Sequence, residues 1–243
     1  MKLYFAVSYL RSDEWTGDTV CSAARNGFEL LVRKFVEKDD NDLIAAHVAL
    51  YFEDVDYETA RRKANIDATS FFVDILASGG HQISVFDDPK SWYQKWSCVR
   101  VELFEVKSVF KGRKLDVGRS LDVALEYVQQ KRVYDFYQNC NSICPSWPTR
   151  CSPSLGCCCP CTNGTNCIDA TIVALAAGYG VNEWKAREFF DLKQRVALGA
   201  RLPSQLKFEL LESNLLSSDR AKTLLKKGKA CGDFLMPLIL NRS

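Results

Sequence analysis

Histidine is scarce. The 243 residues hold only His47 and His81, against eleven cysteines. Any Cys–His or Ser–His chemistry therefore has two candidate bases at most. An excess of charge is also absent: 32 Lys plus Arg face 30 Asp plus Glu, for a net +2. That balance removes the electrostatic case for a nucleic-acid or membrane-surface protein. No stretch approaches the roughly 18 apolar residues that a spanning helix needs. The opening MKLYFAVSYLRSDEW carries one Lys and a short apolar run, but the run breaks at Arg11 to Glu14. No small-residue cleavage site follows, so the segment reads as a strand and not as a signal peptide. What is plentiful is apolar surface. Hydrophobic residues make up 47%, with 14 Phe, 9 Tyr and 5 Trp. That is enough for one core or at most two small domains, and it excludes disorder as the main state.

Periodicity predicts the elements. Residues 3–9 read as a strand. Asp18 is placed to cap a helix with Cys21, Ala24, Phe28, Leu31, Val32 and Phe35 at helical spacing. Strands are expected over 45–52, 70–76 and 98–107, with a short extended piece at 82–86. Ser120 is placed to cap a helix bearing Leu121, Ala124, Leu125 and Val128. Residues 167–177 read as a compact apolar helix stopped by Gly178. Asn182 opens another with Trp184, Phe189, Leu192 and Val196, and helices are expected from Pro203 to about Lys227. Several strands expected to pair with one another, followed by helices, define an α+β fold with an antiparallel sheet packed on helices. Residues 1–200 form its main domain and residues 201–243 a helical extension.

Residues 139–164 differ in character. They carry Cys140, Cys144, Cys151, Cys157, Cys158, Cys159 and Cys161 among Pro145, Pro148, Pro153 and Pro160. A long irregular insertion of this kind is usually functional or disordered. Reduced or partly disulfide-linked thiols are the plain reading. Cys158–Cys161 with Cys140 and Cys144 offers ligands for a structural zinc, although the spacing fits no standard finger. Acylation of Cys157 to Cys159, giving membrane attachment, is a third reading. Without an export signal, reduced thiols in a cytoplasmic setting are the default.

Cys167 stands apart from that cluster. Thr165-Asn166 precedes it, which sets it in the first turn of the apolar helix. Unspent amides and the helix dipole there favour a thiolate, and they favour an oxyanion formed beside it. His47 lies in an apolar strand among the small residues Ala45, Ala46 and Ala49, whereas His81 falls in the turn Gly79-Gly80-His81-Gln82, facing water. A core histidine satisfied by a backbone group is the plain alternative for His47. If strands 47–52 and 70–76 pair with Tyr51 opposite Ser70, Asp74 falls opposite His47 and can orient it. Glu102 on the next strand is the rival for that third position.

The order His, acid, then a late Cys at a helix start resembles the circularly permuted, NlpC-like branch of the papain fold. The matching pieces are Ala46-His47-Val48-Ala49-Leu50-Tyr51-Phe52, Val133-Tyr134-Asp135-Phe136 and Asn166-Cys167-Ile168-Asp169. Together they span roughly residues 3–180. The branch includes lecithin:retinol acyltransferase relatives, PPPDE-type isopeptidases and large-DNA-virus proteins. The resemblance implies a permuted papain-like fold and a thiol hydrolase or acyltransferase acting on an amide, isopeptide or ester. Cys167 would be nucleophile, His47 base and Asp74 the orienting acid, with no cofactor required for catalysis. Asn139-Cys140-Asn141 resembles the Asn-Cys-Asn of the isopeptidase branch, but Pro145 and Pro148 forbid a helix starting at Cys140. The expected partner is a peptide, acylated or lipid substrate, and the expected location cytoplasmic or virion-associated. The competing class is a non-catalytic viral structural or interaction protein whose cysteine-rich loop binds metal or a partner.

Overall fold

A computed structural model describes residues 1–11, 43–75, 81–88, 90–95, 98–129, 166–192 and 203–225. The expected helix after Asp18, the Val133–Phe136 motif, Asn139-Cys140-Asn141, the insertion 139–164 and Val196 lie outside the described residues.

The chain opens on β1 (Lys2–Arg11) and continues with β2 (Leu43–Glu53). A short α1 (Tyr57–Thr59) runs into a wider-wound turn over Ala60–Ala64. Then come β3 (Phe71–Ile75), β4 (His81–Ser84), α2 (Trp92–Lys95) and β5 (Arg100–Val106). A hairpin of β6 (Val109–Phe110) and β7 (Arg113–Lys114) leads to α3 (Val117–Gln129). Among the later described residues are α4 (Cys167–Gly178), α5 (Ala186–Phe189), α6 (Pro203–Glu212) and β8 (Leu216–Leu225). Six strands form one antiparallel sheet in the order β4-β3-β2-β1-β5-β8. The α+β expectation is therefore met.

Alternation along the central strand builds two cores, because successive side chains point to opposite faces. Leu3, Phe5, Val7 and Tyr9 of β1 join Val48, Leu50 and Phe52 of β2 beneath α3, α4 and α6. Tyr4, Ala6 and Leu10 join Ala49 and Phe72 on the other face, covered by Phe86, Trp92, Tyr93 and Cys98. Both faces are thus buried, and His47 and Asp74 belong to strands that have little contact with water.

Several local expectations are corrected. Helix α3 starts at Val117, three residues before Ser120, and the cap is Asp116, whose carboxylate accepts from the Arg119 amide at 3.0 Å. His81 opens a strand, paired with Ile75, instead of sitting in a turn. The stretch after Asn182 is a short 3₁₀ turn, Glu183–Lys185, followed by α5, and Trp184 is 91% exposed instead of lying on a core face. After Pro203 one helix forms among the described residues. Leu216–Leu225, expected as helix, pairs with β5 as the sixth strand, because Asn214 at φ 62° turns the chain back onto the sheet edge. Leu206 and Leu210 of α6 and Leu215 and Leu216 all enter the main core.

Gly178 also serves differently from expected. Helix α4 includes it, and the left-handed residue beyond the helix is Gly180 at φ 72°. Gly178 is required by close approach. A Cβ there would lie 2.2 Å from Ser120 Oγ, 2.7 Å from Leu115 Cδ1 and 3.1 Å from the Asp116 carbonyl oxygen. The Gly178 carbonyl accepts from the Asp116 amide at 2.8 Å, so the contact cannot simply open. Gly178→Ala is expected to destabilise the fold by about 1–3 kcal/mol, read as a lowered urea midpoint with an unchanged slope.

Candidate active site

Asn166 sets the site at the start of α4. Its backbone is extended, and its side-chain oxygen accepts from the Asp169 amide at 2.9 Å, which fixes the first turn. Cys167 is therefore the first helical residue, as expected, and its thiol is buried. Asp169 in the same turn would by its charge oppose a thiolate, but Arg187 from α5 is ion-paired with it. The first turn keeps its positive end without an uncompensated carboxylate.

His47 comes from β2 where β1 and β2 lose register. Ser8 pairs with His47 and Tyr9 with Ala45, so Ala46 is the extra residue of a bulge. Bulges re-aim side chains, and this one sits beside the imidazole. His47 is 4% exposed, as is Cys167. The Trp92 ring packs against the imidazole at 5.0 Å between centroids, tilted by 44°.

Asp74 completes the group, by a different route from the one expected. The β2–β3 register places Phe72, and not Ser70, opposite Tyr51. Continuing that register puts Asp74 beside Ala49, two residues along from His47. A two-residue offset preserves the face, and diagonal neighbours on one face remain within reach of a long side chain. His47 Nε2 accordingly donates to Asp74 Oδ1 at 3.1 Å, with the carboxylate fully buried. A carboxylate only accepts, so Nε2 carries the proton in this pair and Nδ1 is left for the thiol.

Cys167 lies close enough to His47 to act on its imidazole by charge and by hydrogen bonding. Burial by itself would push the imidazole toward neutrality. The charge and hydrogen bond of Cys167, with the hydrogen bond and charge of Asp74, more than reverse this, and the His47 pKa is pushed up to about 9. The arrangement favours a thiolate facing an imidazolium that a carboxylate holds from behind.

Glu102, the rival acid, is elsewhere. It accepts from Tyr9 Oη at 2.7 Å and from Lys207 Nζ at 3.0 Å, and this cluster ties α6 to the sheet. Tyr93 was not singled out from the sequence, yet its hydroxyl donates to Asp74 Oδ1 at 3.2 Å. The available signal was the adjacent pair Trp92-Tyr93 after the turn at Asp87-Asp88.

Among the described residues no group of three or more His, Cys, Asp and Glu side chains is placed to hold a metal ion. The zinc and acylation candidates Cys140, Cys144 and Cys157–Cys161 lie outside those residues. No described helix is long and apolar enough to cross a membrane. No protein-family model, curated protein or solved structure matches the chain.

Proposed function

We propose that this chain is a thiol hydrolase or acyltransferase of permuted papain-like fold, acting on an amide, isopeptide or ester. The observation that carries the reading is the grouping of Cys167, His47 and Asp74, with the thiol at a helix start, its charge felt by His47, and His47 bonded to a buried carboxylate. The Cys167 sulfur attacks the acyl carbon, and the first-turn amides at the positive end of α4 favour the oxyanion. As the tetrahedral species collapses, the bond to the leaving nitrogen or oxygen breaks and His47 supplies its proton. The acyl group is then a thioester on Cys167. Water, or an acceptor hydroxyl or amine, attacks it while His47 takes the incoming proton, and the thiolate is restored. Asp74 holds the imidazole through both steps. Nucleophile, base and oxyanion donors are all protein groups, so the reaction calls on no cofactor. A cytoplasmic setting, in which thiols stay reduced, goes with this reading.

Cys98 is an internal control. It is a buried thiol that donates to the Arg100 carbonyl at 3.3 Å. Brief treatment with an iodoacetamide-type probe at pH 7, followed by peptide mapping, is expected to label Cys167 at least about tenfold faster than Cys98. Equal labelling of wild type and Cys167→Ala under these conditions would remove Cys167 as the nucleophile.

A further inference from the structure

Asp74 has one oxygen doing two jobs. Its Oδ1 accepts from His47 Nε2 at 3.1 Å and from Tyr93 Oη at 3.2 Å, while Oδ2 is buried with no hydrogen-bond partner among the described residues. A buried carboxylate with one oxygen unsatisfied is free to rotate about its last torsion unless a second donor fixes it. Tyr93 supplies that donor from a rigid seat. Its ring is wedged against Phe72 at 4.5 Å, Trp92 at 5.3 Å and Phe86 at 5.7 Å, and it is fully buried. Its hydroxyl also lies near Ser8, the cross-strand neighbour of His47, although the Ser8 hydroxyl completes no hydrogen bond. Burial, then the charge of Asp74, hold the Tyr93 hydroxyl well above its ordinary pKa, so it stays a donor throughout the neutral range.

We propose that Tyr93 is a positioning residue for the thiol site, fixing the Asp74 carboxylate so that Oδ1 stays on His47 Nε2. The inference rests on the Cys167–His47–Asp74 reading for its purpose, but its physical content can be measured without turnover. Among the described residues the polar groups around the imidazole are Cys167 from α4, Asp74 from β3, Tyr93 from α2 and Ser8 from β1, with Cys98 lying beyond Tyr93. Without the tyrosine hydroxyl the carboxylate turns from Nε2, which weakens its support of the imidazolium.

The test uses the full chain with ¹⁵N-labelled histidine. With only His47 and His81 present, the ring-nitrogen spectrum holds two sets of signals, and His81→Gln assigns them. Tyr93→Phe keeps the ring and removes the hydroxyl. Its His47 titration is expected to move down by at least about half a unit, with the hydrogen-bonded Nε2 signal shifting as well. Where a substrate is in hand, kcat is expected to fall about tenfold with KM little changed. The same substitution on an Asp74→Asn background is expected to have no further effect on the His47 titration. A folded Tyr93→Phe protein whose His47 titration stays put or rises overturns the inference, as does an equal shift on the Asp74→Asn background. Neither result bears on whether Cys167 is a nucleophile, which probe labelling decides separately.

Discussion

His47→Gln is expected to slow alkylation of Cys167 at pH 7 by between about ten- and a hundredfold, and to slow acyl transfer by about 10²–10⁴-fold. The first figure follows from the thiolate population. An ordinary thiol with a pKa near 8.5 is only a few per cent ionised at neutral pH, and burial lowers that further. In the native site the raised imidazole pKa and the dipole of the α4 N-terminus both act in favour of a thiolate at Cys167. The gain is partly offset, because a more stabilised thiolate is a weaker nucleophile. The second figure is larger because His47 also delivers the leaving-group proton, which no dipole can do. Gln is the informative substitution: it keeps much of the ring volume beneath Trp92 and can still donate to Asp74, but it cannot move a proton. The pH dependence separates the two roles. Alkylation of wild type should be nearly level from neutral pH to about 8, whereas the variant's rate should climb steadily with pH as an isolated thiol ionises. A His47→Gln protein that alkylates at the wild-type rate across this range would show that the imidazole does not activate the sulfur.

How the three residues could be found, and Tyr93 could not, follows from the range of each signal. Cys167 is set by local chemistry, since Asn166 caps the helix and an apolar run follows it; capping acts over three residues and is visible in the chain. His47 was isolated by scarcity together with its small flanks. Asp74 was found through a pairing that was off by two residues. The error did no harm, because a strand repeats every two residues and an even slip keeps every side chain on its face. An odd slip would have pointed Asp74 away from the imidazole. The bulge at Ala46 has no local signature, because it depends on how β1 lies against β2. Residues Leu216–Leu225 misled for a related reason. Ala221, Lys222, Leu224 and Leu225 favour a helix on their own, but pairing with β5 decides the outcome, and strand preference depends heavily on such context. The one local hint was Ser213-Asn214, a turn pair whose Asn adopts the left-handed conformation. Tyr93 escaped because its role depends on four elements meeting in space, and α2 is four residues long with no periodicity to read.

Asp74→Asn is expected to lower kcat/KM by about 10²–10⁴-fold while leaving the fold intact. The amide keeps an oxygen for one of the two donors, so packing survives, but the charge that supports the imidazolium is gone. Asp74 contributes to raising the His47 pKa through both its hydrogen bond and its charge, against the opposing effect of burial. In the variant, burial should prevail more, and the alkaline limb of the activity profile should move down from about 9. Stability should follow with a defined sign. The His47 pKa is raised on folding, so charging it stabilises the native state fully below about pH 6.5, and that contribution is lost as the pH rises through about 9. Wild type should therefore lose melting temperature between pH 7 and 10 more steeply than Asp74→Asn, and the two curves should converge at the alkaline end. Asp74→Ala is a harsher change, because it empties a buried position and leaves the Tyr93 hydroxyl and the imidazolium without their shared acceptor. It should cost about 3–5 kcal/mol at neutral pH. Parallel melting curves for wild type and Asp74→Asn across this range would mean that the carboxylate does not hold the imidazole charged, and the contact between them would then be packing without catalytic consequence.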